Sequence, residues 1–264
     1  MTDGGLADDR GSPGPQAGVD PRFVLPPSLD GELVALAEAT NYRDWLFSKT
    51  APHLGERVVE VGAGFGTMTD CVVDKARVVA LELIPEYVAT LHRRYDALAN
   101  IEIHHGDATE DAVWDAIRAG GELDSAMSFN VFEHILDDVA VMKQVLASLR
   151  PGGEMVVFTP AFPGLFGEMD RGVGHVRRYT RGELLGKART AGFEIVDCQF
   201  MNLPGFFLWY LNGKVLKSSG ATGGAASVRL FDRWAVPLVR AAEQLVRPPF
   251  GQSLLLVARR PAPS

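Results

Sequence analysis

Val58-Val59-Glu60-Val61-Gly62-Ala63-Gly64-Phe65-Gly66-Thr67 is the stretch on which the fold turns. A run dominated by β-branched residues and bounded by glycine predicts a short buried strand over 57–61. Glycines at alternate positions then let the backbone pass close to a ligand, where any Cβ would collide. The spacing predicts a helix over 67–75. Glu60, two residues ahead of the first glycine, is placed to meet an ammonium group, and backbone N–H groups at the start of that helix would meet a carboxylate.

Outward from this turn, strands and helices alternate. Short apolar or β-branched runs predict strands over 77–83, 101–105, 125–130 and 154–159, and helical spacing predicts helices over 85–98, 110–119, 139–149 and 182–191. Such alternation implies a parallel sheet covered by helices on both faces. Strands over 194–200 and 253–258 complete the expected fold: a Rossmann-like α/β architecture with a seven-stranded, mostly parallel sheet, an N-terminal helical extension and a helical insertion before the last strand. Residues 1–28, rich in Gly, Pro and Asp, read as a disordered tail, and 29–264 as a single domain. Helix is expected over 31–50 with a break near Asn41, and over 206–217 and 229–246, joined by a Gly/Ser/Ala stretch at 218–227. The segments 29–50, 160–179 and 203–251 are expected to form lid or substrate elements, because ligands of such sheets lie beyond the carboxyl ends of the strands and loops of this length are usually functional.

The 264 residues, 47% hydrophobic, suffice for one large core, and no apolar run approaches the about 20 residues that cross a bilayer. A formal net charge of −7 argues against broad nucleic-acid binding, which sets Lys and Arg against phosphates. A small-molecule substrate is the better expectation. Cys71 and Cys198 are too few for a disulfide framework, and the first residues lack the basic-then-apolar order of a secretion signal. A cytoplasmic protein without stable membrane insertion is expected, with a homodimer left open.

The second expected strand ends at Glu82-Leu83. A carboxylate at the tip of the strand beside the glycine turn accepts hydrogen bonds from ribose hydroxyls, in nicotinamide-binding folds as well as others. The third strand runs into Gly106-Asp107-Ala108, where Asp107 is placed for an adenine exocyclic amine and the Ala108 N–H for a ring nitrogen. Taken alone, Asp107 also reads as an N-cap for the helix near Glu110. The fourth ends in Asn130-Val131-Phe132-Glu133-His134, which brings backbone carbonyls toward the same ligand. Four strand ends in register with one nucleoside outweigh any one of them. The third glycine comes one residue too early for the Gly-x-Gly-x-x-Gly of nicotinamide-dependent oxidoreductases.

Taken in order, Glu60 to Gly66, Glu82, Gly106-Asp107, residues 129–134 and Leu149-Arg150-Pro151-Gly152-Gly153 resemble the successive motifs of class I S-adenosylmethionine-dependent methyltransferases. The resemblance covers about 41–159 well and runs more loosely to Arg260. Within that class the chain is similar to the bacterial small-molecule group of type 11 and type 12, and residues 174–179 and 248–253 look like a subgroup of it. The resemblance implies S-adenosylmethionine as cofactor. It places Glu60, Gly62, Ala63, Gly64, Phe65 and Gly66 around the methionine part, Glu82 with Leu83 at the ribose, and Asp107 and Ala108 at the adenine. Asn130 and Val131 would lie beside the sulfonium, and Tyr42 near the cofactor carboxylate. The substrate pocket lies outside the resemblance. Two alternatives on the same fold stay open: a regulatory subunit that binds the cofactor without catalysis, and a cyclase that uses the bound sulfonium.

Beyond these motifs, Asp170, His175, Arg177, Arg178 and Tyr179 form the densest polar group. One reading is a set of loop-anchoring salt bridges with a helix cap at Thr180. The other is a substrate-facing set, with His175 or Tyr179 as base or orienting group and Asp170 and Arg178 for the substrate. His134 is a third candidate base, against the reading of a packed, backbone-bonded histidine. Phe206 and Trp209, within the apolar run 206–211, read either as a roof on the core or as contacts to a greasy substrate or membrane surface. The pair Asp137-Asp138 has the look of metal ligands but fits an exposed helix N-terminus better, so no metal is expected.

Overall fold

The computed structural model describes residues 39–211 and 229–262. The expected tail at 1–28, the first residues of the helix over 31–50 and the stretch 218–227 lie outside the described residues. Seven strands follow the apolar runs: β1 (Arg57–Val61), β2 (Arg77–Glu82), β3 (Ile101–His105), β4 (Leu123–Phe129), β5 (Leu149–Pro160), β6 (Glu194–Met201) and β7 (Ser253–Arg259). They form one sheet in the order β3-β2-β1-β4-β5-β7-β6. The strands from β1 to β5 pair in parallel, and β7 lies antiparallel between β5 and β6. The described α-helices are α1 (Thr40–Thr50), α2 (Pro85–Tyr95), α3 (Asp111–Ala119), α4 (Asp138–Ser148), α5 (Glu168–Gly172), α6 (Arg181–Ala191), α7 (Leu203–Tyr210) and α8 (Val236–Leu245).

Successive side chains on a strand point to opposite faces, and here both faces are apolar. On one, Val59, Val61, Met155, Val157, Leu254 and Leu256 pack beneath α3, α4 and α6 through Trp114, Ile117, Val141, Met142, Leu184 and Ala188. On the other, Val58, Val78, Met127, Val156, Phe158 and Leu255 meet Trp45 and Leu46 of α1 and Val236 of α8. Trp45 and Trp114 are almost wholly buried, and truncating either to alanine would cost about 3–5 kcal/mol.

One helical expectation is corrected. The helix over 67–75 is only a single 3₁₀ turn, Thr69–Val72. Thr67, Thr69, Val72 and Val73 are β-branched and resist helix, and the side chains of Thr69 and Asp70 are drawn away to Glu60 and to Tyr95. The expected break near Asn41 falls at the described start of α1, Thr40, and the residues before Ala39 lie outside the described ones. Ala39 supplies no side-chain cap. Asp232, from the helical insertion 191 residues along the chain, supplies the acceptor, taking the N–H of Asn41 at 3.1 Å and of Tyr42 at 2.8 Å. Asp232 sits in a π-helical turn, Phe231–Ala235, that leads into α8.

A tertiary cap of this kind ties the first described helix to the insertion. Asp232→Ala is expected to lower stability by about 0.5–2 kcal/mol, seen as a lower urea midpoint with an unchanged slope.

Candidate functional site

β1 lies between β2 and β4, so the crossovers from this part of the sheet leave in opposite directions and open a crevice at the carboxyl ends of the strands. The crevice is a cleft of about 770 Å³ including its open mouth, within the range of small-molecule sites. Four strand tips wall it. Val61, Gly62 and Gly64 come from β1 and its turn, and Leu81, Glu82 and Leu83 from β2, with Ile84 and Tyr87 just beyond. Gly106, Asp107 and Ala108 follow β3. Phe129, Asn130 and Val131 follow β4, with His134 and Ile135 a turn further on.

Left-handed backbone shapes this wall. Gly62 and Gly66 have φ of +76° and +83°, a region L side chains rarely adopt. A Cβ on Gly62 would fall 2.4 Å from Val131 Cγ2, and one on Gly66 2.5 Å from the Tyr95 hydroxyl. Asn130 is also left-handed at φ +54°, which Asn tolerates better than most residues. Its N–H donates to Phe158 O at 2.8 Å.

Glu82 joins the first two tips. Its Oε2 accepts the Gly64 N–H at 2.7 Å, and Oε1 accepts the N–H groups of Leu83 and Ile84, each at 2.9 Å. Burial pushes the carboxyl pKa up, and these three donors pull part of the way back. Asp107 does not cap the next helix, whose N-cap is Glu110 with no side-chain cap. It lines the cleft, and its Oδ1 accepts from the Thr109 N–H and hydroxyl, both at 2.8 Å.

Gly62, Gly64, Glu82, Leu83, Asp107, Ala108, Asn130 and Val131 are thus brought to one cleft. Tyr42, Glu60, Ala63, Phe65 and Gly66 stand outside its wall. Tyr42 packs edge-on against Trp45 and Phe158. Phe65 stacks edge-on against Tyr87 at 4.5 Å, supporting the wall from behind. Glu60 is buried with its Oε2 2.5 Å from Thr69 Oγ1. Burial is the main cause that raises its pKa to about 8, opposed by the Thr69 hydrogen bond and aided by the nearby charges of Glu82 and Asp70. The helix N-terminus expected to receive a carboxylate does not form, and the Gly62, Ala63 and Gly66 N–H groups are spent inside the fold on Leu81 O and Ala63 O. Ile84, Tyr87 and Ile135 were not foreseen, although each sits one to five residues past a tip that was.

Of the three candidate bases, His134 alone lines the cleft. Its Nδ1 lies 3.2 Å from Gly174 O. Burial, helped by the neighbouring His175, lowers its pKa to about 4. His175 is buried behind it, ring against ring at 4.8 Å, with Nδ1 2.9 Å from Asp170 Oδ1. Arg178 Nε reaches the same Asp170 oxygen at 2.6 Å, its guanidinium 4.4 Å from the centre of the Trp209 ring. Burial would raise the Asp170 pKa, but the hydrogen bonds and charges of His175 and Arg178 hold it below the usual carboxylate range. Tyr179 is fully buried, its hydroxyl 2.6 Å from Asp138 Oδ2 and 2.9 Å from Phe132 O. Thr180 caps α6. The group at 170–179 is therefore held as a loop anchor, and neither Asp170, Arg178 nor Tyr179 reaches the cleft. Phe206 belongs to an aromatic cluster with Phe162, Phe207 and Phe250. Asp137 caps α4, and Asp138 pairs with Arg177 and Lys187.

A cleft walled by strand tips at a switch point is where open α/β sheets bind their ligands. Residues 58–153 match the family model described as a methyltransferase domain. The chain is 32% identical over 146 residues to a probable S-adenosylmethionine-dependent methyltransferase of Mycolicibacterium smegmatis, a match covering 54% of each chain. It is 29% identical over 167 residues to the ubiquinone biosynthesis O-methyltransferase of Ralstonia nicotianae, covering 57% of this chain and 68% of that one. Among solved structures, the fold is similar to that of the [4+2]-cyclase SpnF, with a TM-score of 0.54 at 19% identity, covering 84% of this chain and 81% of that one. The chain spans about half the length of the first of these relatives. Over residues 58–153 it therefore matches a methyltransferase domain, and it is similar to S-adenosylmethionine-dependent methyltransferases.

Stability follows the difference in protons bound by the unfolded and folded states. Between the ordinary value of 4.5 and about 8, unfolded Glu60 has lost its proton while folded Glu60 keeps it. Stability should therefore fall as pH rises across that window. Glu60→Gln is expected to flatten this fall, measured as urea midpoints at a series of pH values.

Proposed function

We propose that this chain transfers a methyl group from S-adenosylmethionine to a small-molecule acceptor. The observation that carries the reading is the single cleft walled by all four strand tips, with the Glu82 carboxylate at its rim. The residues fit the cofactor. Glu82 offers acceptors to a ribose, Asp107 and Ala108 a polar edge to adenine, and Ile84, Tyr87 and Ile135 an apolar slot for its ring. Gly62 and Gly64 keep the turn thin beside the methionine part, and Asn130 and Val131 stand where the sulfonium would lie. When bound, the cofactor supplies a methyl group already activated for transfer. The chain's own contribution is alignment and exclusion of water, and alignment alone is worth up to about 7–11 kcal/mol.

His134 is the acceptor-facing side chain in this reading, held in place by the 160–179 segment. That segment and the described parts of the insertion, 203–211 and 229–251, are the substrate elements in this reading. The net charge of −7 and the quinone-pathway relative support a small, uncharged or weakly charged acceptor over a nucleic acid. Among the described residues no helix is long and apolar enough to cross a membrane. The likeness to a cyclase fold favours one second reading, cyclisation promoted within the same cleft.

Hydrogen bonds to a charged group are worth about 1.5–3 kcal/mol. Glu82→Ala is therefore expected to weaken S-adenosylhomocysteine about 10–100-fold by calorimetry. Unchanged affinity would remove Glu82 from the ribose. Incubation of the protein with cofactor and cell extract should give a product heavier by one CH₂, whereas a product of unchanged mass would point to cyclisation.

A further inference from the structure

Glu133, His134 and His175 converge at the back of the cleft wall: one ligand-capable atom from each lies within 4.8 Å of those of the other two. Glu133 Oε1 and His175 Nε2 are 3.7 Å apart. Two tetrahedral donors, each about 2.0–2.1 Å from one ion, stand about 3.3 Å apart, so little movement is needed to close on a metal. These residues come from two segments, the 3₁₀ turn Phe132–His134 and the loop after α5, that are tied by the Val176 N–H donating to Glu133 O at 2.9 Å.

Both imidazoles are held from the far nitrogen. Asp170, ionised by Arg178 beside it, can only accept, so His175 Nδ1 donates to it at 2.9 Å. Gly174 O likewise only accepts, so His134 Nδ1 donates to it at 3.2 Å. Nε2 is the nitrogen turned outward on each ring. A carboxylate or carbonyl on the non-ligating nitrogen is the support that orients histidines toward metals. Glu133, fully buried, accepts from Thr159 Oγ1 at 3.1 Å through Oε2, which turns Oε1 to His175.

From this geometry we propose that Glu133, His134 and His175 bind one divalent first-row transition ion, of the zinc or ferrous class. Two imidazoles and one carboxylate suit such ions, whereas magnesium and calcium prefer all-oxygen sites. Because His134 lines the cleft, the coordination positions left open by the protein face the place where the acceptor is held. That last placement rests on the methyl-transfer reading, but the metal site itself does not.

The test uses the full chain stripped with a chelator, then titrated with Zn²⁺ by calorimetry and with Co²⁺ by visible spectroscopy. One ion per chain is expected, with a rise in the thermal midpoint. His134→Ala, at a partly exposed position, should keep the fold by circular dichroism and lose stoichiometric binding and the thermal rise. Asp170→Asn, where it folds, should weaken binding about 10–100-fold. No uptake by the wild type, or wild-type affinity in His134→Ala, overturns the site. S-adenosylhomocysteine is titrated into the metal-free protein in parallel. Its binding without metal uptake sinks the metal site alone, and metal uptake without its binding sinks the cofactor reading alone.

Discussion

One carboxylate holds the cleft in shape. Glu82 ends β2 and gathers three backbone N–H groups, one of which, from Gly64, belongs to the turn after β1. An isolated ionised carboxylate is expensive to bury, and hydrogen bonds to the charged form are what offset that cost. Here every donor is backbone, so the offset depends on backbone direction. The Gly64 N–H can face Glu82 only because Gly62 and Gly64 adopt left-handed φ. Two demands on the glycine turn, a thin wall for a ligand and a donor for the neighbouring strand, are met by the same conformation.

The opposite wall is held by ions rather than by backbone. Asp138 lies at the centre of Arg177, Tyr179 and Lys187, and Asp170 at the centre of Arg178, His175 and the Gly167 N–H. Both aspartates are almost completely buried. Breaking such a pair typically costs about 3–5 kcal/mol, because the surviving charge is stranded, even where the intact pair adds little net stability. These networks clamp 160–179 against the turn after β4. The clamp fixes the ring of His134 through Gly174, so a cluster with the residue types of an acid–base site acts as the frame of a neighbouring one.

Much of this was legible in the sequence, and the division between what was and what was not is physical. β1 falls where its apolar run ends, because a buried parallel strand is specified by its own few residues. The cleft residues at the tips were legible for the same reason: glycine and acid at a strand end leave a local mark. The failed helix at 67–75 shows the limit. Its spacing was helical, but β-branched residues and the pull of Glu60, Arg94 and Tyr95 on Thr69 and Asp70 decided otherwise. Nothing local distinguishes a buried Asp170–Arg178 pair from a substrate-facing one, since burial depends on how His175, the Ala161 carbonyl and the Trp209 ring close around it. Asp232 as the cap of α1 was illegible for the plainest reason, its distance along the chain.

The same division bears on what the cleft does. A cofactor shared by many proteins must be met by features that any such chain can encode, and backbone donors, glycines and a strand-end acid are of that kind. The acceptor is met by whatever fills the remaining wall. In the proposed reading that wall is Phe129, Val131 and the single polar ring of His134. Methyl transfer from a sulfonium needs alignment more than a particular side chain, so an apolar wall with one oriented imidazole is sufficient chemistry. It also constrains little, which is consistent with a single fold serving a cyclase and methyltransferases alike. Behind His134 lies the buried Glu133–His175–Asp170 series, an arrangement that a cofactor site alone does not require.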